Sequence, residues 1–134
     1  MRAKTAAFMR SSSRRRSSVS EPLENEIARE VAEHTILVYG KGTKDAPRCG
    51  FTLETIQFFN HFGYPFEVLD VLENMPKREA LSKLTEWPTL PKVFIDGQFY
   101  GDTDVLGPMA QSGELSKLLA AAFEKKGIKP SVVL

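Results

Sequence analysis

Cysteine is the scarcest reactive residue of this chain: Cys49 is the only one among 134 residues. A single cysteine cannot close an internal disulfide, and any cross-link or multi-ligand metal site must borrow its further ligands from another molecule. That fits a reducing compartment and excludes a disulfide-stapled secreted fold. Long apolar runs are lacking too. None approaches the roughly 20 residues that a membrane-spanning helix needs, so no membrane partner is expected. Acids are missing from residues 1–20, which carry Arg2, Lys4, Arg10, Arg14, Arg15 and Arg16. The other 12 basic residues face all 17 acids, so a leader near +6 precedes a body near −5. Such a body has no global basic field, and no nucleic-acid partner is expected.

What is present is ordinary for one globular domain: 42% hydrophobic and 26% charged residues in a length too short for two. Residues 1–20 (MRAKTAAFMRSSSRRRSSVS) are rich in Arg and Ser and have no continuous apolar core. This is the composition of an organelle transit peptide, most simply a mitochondrial one. A disordered basic leader, or a nuclear-import or RNA-binding arm on Arg14 to Arg16, are the alternatives. The domain is expected over 22–126, and 127–134 as a flexible C-terminal tail.

Leu23, Ile27 and Val31 recur every four residues, which predicts a helix over Pro22 to Glu33 with Ser20 as a possible cap. His34 to Tyr39 (HTILVY) is a continuous apolar run suited to a strand covered on both faces; His34 opens it as a surface residue. Gly40, Gly42 and Pro47 mark a loop that carries Cys49. The next helix, Leu53 to Phe62, is expected to bury Leu53, Ile56 and Phe59, with Phe58 and Phe62 widening the arc, and to end at Gly63. Phe66 to Val71 predicts a second strand. Pro76 to Thr85 predicts a helix capped by Asn74. Trp87-Pro88-Thr89-Leu90-Pro91 forces an extended chain. Lys92 to Asp96 and Gln98 to Gly101 read as a hairpin turning at Asp96-Gly97. Asp104 and Ser112 are candidate caps of two last helices, the first weakened by Gly107 and Pro108. A helix between the first two strands makes them parallel, and the hairpin is antiparallel. The expected fold is an α/β sandwich: a four-stranded mixed sheet with helices on both faces.

Cys49 lies where a strand enters a helix, near the positive end of the helix dipole and beside Lys41, Lys44 and Arg48. That setting favours a thiolate that acts as nucleophile or metal ligand, against the plainer use of a small cysteine in packing. Arg78, Asp104 and Lys92 could each, taken singly, be ordinary solvated charge.

Three separated motifs agree on one family. Lys41-Gly42-Thr43 with Pro47, then Cys49-Gly50-Phe51-Thr52, resembles the CGFS signature of monothiol glutaredoxins. Trp87-Pro88-Thr89-Leu90-Pro91 resembles their WPT-[IV]-P segment. Gly101-Asp102-Thr103-Asp104 resembles their GG-[CS]-D turn, and Gln111 to Leu115 also looks familial. The resemblance spans roughly residues 30 to 122 and implies a thioredoxin-like fold.

It also implies roles. Cys49 would be the nucleophile or iron ligand, with glutathione lying beside it. Lys41 and Arg78 would pair with the glycine-end carboxylate. The Thr89-Leu90 backbone, before a cis Pro91, would bind the cysteinyl part like an added strand. Thr103 and Asp104 would hold the γ-glutamyl end, and Phe51 would flank the site. Thr52 for serine, Asp102 for glycine, Thr103 for Cys or Ser and Lys92 for glutamine depart from the pattern and leave room for a related low-molecular-weight thiol.

With Thr52 three positions after Cys49, no resolving cysteine exists in the chain. Iron–sulfur clusters take four thiolates, and two copies of Cys49 with two glutathione sulfurs supply four across a homodimer. The resemblance therefore implies a carrier of a 2Fe-2S cluster between assembly and recipient proteins, with at most weak glutathione-dependent oxidoreductase activity; the basic leader adds the expectation of the mitochondrial matrix. The alternatives are a glutathione-dependent oxidoreductase that removes glutathione from protein thiols through Cys49 alone, and a regulator that uses cluster binding as a signal.

Overall fold

The computed structural model describes residues 21–130. The expected leader, its Ser20 cap and the end of the expected tail lie outside the described residues.

Among the described residues nine elements follow in chain order: α1 Glu21–Glu33, β1 Ile36–Gly40, α2 Gly50–Phe62, β2 Glu67–Asp70, α3 Met75–Thr85, β3 Lys92–Ile95, β4 Gln98–Gly101, α4 Thr103–Ser112 and α5 Glu114–Glu124. The sheet order is β2-β1-β3-β4. β1 pairs parallel with β2 and antiparallel with β3, and β3 pairs antiparallel with β4. This is the thioredoxin-like sandwich with a mixed sheet that the sequence predicts.

β1 is buried along its whole length because helices cover both faces. Ile36 and Val38 point into a cluster with Ile56 and Phe59 of α2, Leu106 of α4, and Leu115, Leu119 and Phe123 of α5. Leu37 and Tyr39 point the other way, onto Ile27 and Val31 of α1 and Ala80, Leu81 and Leu84 of α3. The period-two alternation of the strand thus feeds two cores. The hairpin turns at Asp96 and Gly97, whose φ angles of 52° and 82° make the two left-handed positions of a tight β-turn. Ile128 packs against the first core, and its N–H bonds to the Phe123 carbonyl at 3.0 Å.

Four local expectations are corrected. The helix after Cys49 starts at Gly50, and Leu53 is 43% exposed; its buried stripe is Thr52, Thr55, Ile56 and Phe59. Positions 52, 55, 56 and 59 are the i, i+3, i+4, i+7 set of one helix face, and Leu53 lies outside it. Asp102, not Asp104, caps α4, and its carboxylate accepts the Asp104 N–H at 2.9 Å. Gly113 rather than Ser112 occupies the cap position of α5, though Ser112 Oγ still accepts the Glu114 N–H at 3.2 Å. Lys92 is wholly buried, not a solvated charge. Asn74 caps α3 as expected, accepting the Lys77 N–H at 3.2 Å.

Candidate functional site

The sheet register gathers the expected site residues at one end. Gly40 lies opposite Asp70, Tyr39 opposite Lys92, and Val93 opposite Gly101. The carboxyl ends of β1, β2 and β4 and the amino end of β3 therefore lie side by side. The loop to Cys49, the turn to Arg78, the Thr89-Leu90 segment and the Asp102–Asp104 turn all leave from this end. Helices α2, α3 and α4 all begin here, and helix N-termini bring partial positive charge.

Cys49 is the N-cap of α2, extended at φ −152° and ψ 157°. Its half-buried sulfur takes the place usually held by a capping oxygen and accepts the Thr52 N–H at 3.4 Å. The Thr52 Oγ1 stands 3.3 Å from the same sulfur. That hydroxyl also accepts the Lys41 N–H at 3.0 Å, so its own proton is free to point at Cys49. Burial raises the pKa of the thiol, but the Thr52 hydroxyl, the Thr52 and Phe51 N–H groups and the Lys41 charge outweigh it and hold the pKa below its ordinary value. Among the three nearby cations it is Lys41 that bears on the thiolate. Lys44 is tied to the Phe66 carbonyl at 2.7 Å and lies over the Phe66 ring.

The loop before Cys49 is fastened at both ends. The Lys41 carbonyl accepts the Arg48 N–H at 2.7 Å. Gly42, at φ +91°, folds so closely that a Cβ would lie 2.4 Å from the Ala46 carbonyl oxygen. Its N–H donates to Asp70 Oδ1 at 2.9 Å, and the Leu72 N–H donates to the same oxygen. These two N–H groups hold the Asp70 carboxyl below its usual range. Asp70 clamps the loop to the end of β2, a role the sequence alone did not signal.

Arg78 Nη1 donates to the Leu72 carbonyl at 3.0 Å, which turns the guanidinium toward the β2–α3 turn. It lines a groove with Met75, Pro76, Glu79, Ser82 and Pro88. Phe51 is 70% exposed at the first turn of α2. The Leu90–Pro91 peptide is cis, as the resemblance implies. Thr89 is exposed and Leu90 half-buried. Thr103 opens α4, and its hydroxyl donates to Glu54 Oε1 at 3.4 Å. Asp104 is exposed in the same first turn, where Asp102 already occupies its N–H.

Lys92 supports the Trp87–Leu90 segment from beneath. Its ammonium donates to the Thr89 carbonyl at 3.0 Å and to the Trp87 carbonyl, and lies 6.0 Å from the Phe99 ring centre. Trp87 stands edge-on to the same Phe99. Burial pushes the Lys92 pKa down to about 8.

Among the described residues, no three His, Cys, Asp or Glu side chains come together as a metal site. Cys49 is thus a single soft donor at an open edge. It suits a shared thiolate site completed from outside, or a nucleophile.

A glutaredoxin family model matches residues 36–100. An uncharacterized monothiol glutaredoxin ycf64-like of Synechocystis is 39% identical over 93 residues, 69% of this chain and 87% of that protein. Two rice relatives are similar: monothiol glutaredoxin-S7, chloroplastic, at 41% identity over 69% of the chain, and monothiol glutaredoxin-S4, mitochondrial, at 33% over 75%. The matched part spans about half the length of each rice protein, 55% and 54%. Among solved structures, reduced poplar apo GrxS14 superposes with a TM-score of 0.67 at 36% identity, covering 75% of this chain and 93% of that one.

Proposed function

The chain belongs to the glutaredoxin family, with monothiol relatives and a single cysteine of its own, and from that premise we propose that it carries a 2Fe-2S cluster, held with glutathione across a homodimer, to recipient proteins. The observation that carries this reading is the half-exposed Cys49 sulfur, held by Thr52 where a resolving thiol would stand, with no group of three or more His, Cys, Asp or Glu side chains to hold a metal among the described residues. One soft donor per chain, held toward its thiolate form, suits a cluster whose other ligands come from a partner copy and from two glutathione sulfurs. Ligands that exchange with free glutathione make release easy. The cluster is cargo here, and this chain's own work is to hold the Cys49 thiolate and the glutathione next to it.

For the glutathione, Lys41 and Arg78 are assigned to the glycine carboxylate, the Thr89-Leu90 backbone to the cysteinyl part, and Thr103 and Asp104 to the γ-glutamyl end. Phe51 flanks the thiol. This assignment follows the order in which these residues leave one end of the sheet. The Thr103 hydroxyl, with the Asp104 carboxylate facing an ammonium, suits the γ-glutamyl end better than the Asp104 N–H, which Asp102 already holds. The basic segment at residues 1–20 is assigned to mitochondrial import, with iron–sulfur assembly and recipient proteins as partners.

A second reading rests on the lowered Cys49 pKa. A thiolate can attack the glutathione sulfur of a protein mixed disulfide and release the protein thiolate. A second glutathione thiolate then attacks Cys49–S–SG, frees Cys49 and leaves as glutathione disulfide. No resolving cysteine is needed.

The test is the visible spectrum of protein reconstituted anaerobically with iron, sulfide and glutathione, beside a Cys49→Ser chain. Sulfide-to-iron absorption that needs both Cys49 and glutathione, on a species of twice the monomer mass, supports the carrier. No absorption in either sample, with brisk turnover of a glutathione mixed disulfide, moves the assignment to the oxidoreductase.

A further inference from the structure

Arg78 has a second neighbour that the glutathione assignment does not use. The Met75 sulfur lies 3.6 Å from Arg78 Nη1, the nitrogen that also bonds the Leu72 carbonyl. Met75 opens α3 and is 61% exposed. The other described methionine, Met109, is half-buried against the core. A thioether is a weak acceptor and competes poorly for a guanidinium. A sulfoxide oxygen is a strong, polar one.

We propose that Met75 is an oxidative modification site: its sulfoxide binds the Arg78 guanidinium and competes for it with the glycine carboxylate of glutathione. The oxidant is a hydroperoxide. The sulfur gives two electrons to the peroxide, the O–O bond breaks, and one oxygen forms the S–O bond. The other leaves as water or as the alcohol. The new oxygen forms on a sulfur already within contact distance of Nη1, and the Leu72 carbonyl keeps the guanidinium in place to meet it. A charge-assisted bond from Arg78 to the sulfoxide then competes with the one to the ligand carboxylate. Peroxide thereby reduces glutathione occupancy beside Cys49 without touching Cys49.

This inference rests on the assignment of Arg78 to the glutathione carboxylate, and the experiment separates the two. Glutathione binding is measured by calorimetry on the full chain carrying Cys49→Ser, which removes thiol oxidation. The protein is assayed before and after hydrogen peroxide treatment, with the peroxide removed. Peptide mass analysis reports oxygen addition at Met75. The expected result is a dissociation constant about tenfold weaker once Met75 is converted. A chain with Met75→Leu added should keep its affinity through the same treatment. Unchanged binding with Met75 fully converted, an equal loss in the Met75→Leu chain, or no oxidation of Met75 each overturn the proposal. In the untreated protein, Arg78→Gln tests the underlying assignment. If it leaves binding intact, the role of Arg78 falls, and the Met75 proposal falls with it for that separate reason.

Discussion

The Thr52 hydroxyl stands 3.3 Å from the Cys49 sulfur while accepting the Lys41 backbone N–H at 3.0 Å. One buried side chain therefore ties the end of β1 to the thiol and turns its own proton toward the sulfur. The Thr52 methyl fills the space over Gly40, where a Cβ would come within 2.9 Å of Cγ2.

Thr52→Val keeps the shape and removes the donor. The Cys49 pKa should rise, because the largest favourable contribution to its thiolate comes from this hydroxyl. Alkylation by iodoacetamide at neutral pH should slow about three- to tenfold. The unpaired Lys41 N–H should also cost about 1–3 kcal/mol of stability by denaturant unfolding. Thr52→Ser keeps the hydroxyl and should react at nearly the parent rate. Equal rates for Thr52→Val and the parent would show that the helix N-terminus and Lys41 suffice.

This relationship marks where the sequence could be read and where it could not. The order of elements along the chain, the two-faced burial of β1, the hairpin at Asp96-Gly97 and the Asn74 cap were legible because each is set by local patterning or turn chemistry. The inward turn of Thr52 and Thr55 was not, because apolar periodicity gives no weight to threonine and favours Leu53. Of the two aspartates beside Thr103, Asp102 wins the cap by lying just before the helix, which is set by a boundary finer than pattern reading resolves. Lys92 read as surface charge, since lysine is rarely buried whole. Only the fold shows two carbonyls waiting for it.

The same blindness covers Lys77, whose ammonium sits 2.6 Å from Glu26 and 2.8 Å from Glu30, joining α3 to α1. The Glu30 carboxylate also accepts the Tyr39 hydroxyl at 2.7 Å. Burial opposes the Lys77 charge, but the two glutamates outweigh it and raise the pKa. Lys77→Met should lower stability by about 2 kcal/mol, because it leaves Glu30 and the Tyr39 hydroxyl sharing an uncompensated charge. Glu26→Gln should cost under about 1 kcal/mol, since Glu26 is 41% exposed and water screens the pair. Chemical denaturation of both variants checks the order. Equal, small losses would mean that Ile27 and Val31 alone hold α1 in place.

Lys92 gives the sharpest pH signature. Its folded pKa of about 8 lies below the ordinary lysine value of roughly 10.4, so the unfolded chain binds more protons between the two. Stability must then rise with pH across that window, by on the order of 3 kcal/mol in all, as the buried charge is relieved. Cys49 adds a rise of the same sign at lower pH, since its thiolate is favoured in the fold. Tyr39 and Lys77 act oppositely above about pH 10, because both hold their protons more tightly folded than unfolded. The parent should therefore gain stability from about pH 8 to a maximum near pH 10 and lose it beyond. Lys92→Met removes the Lys92 contribution and leaves those of Cys49, Tyr39 and Lys77 in place. It also strips the Trp87 and Thr89 carbonyls of their donor, which offsets much of the relief at neutral pH. The two chains should thus be of similar stability near pH 7 and diverge in favour of the parent toward pH 10. Denaturant titrations at four pH values decide it. Parallel curves would mean that Lys92 stays charged in the fold throughout, with its two carbonyls repaying the burial.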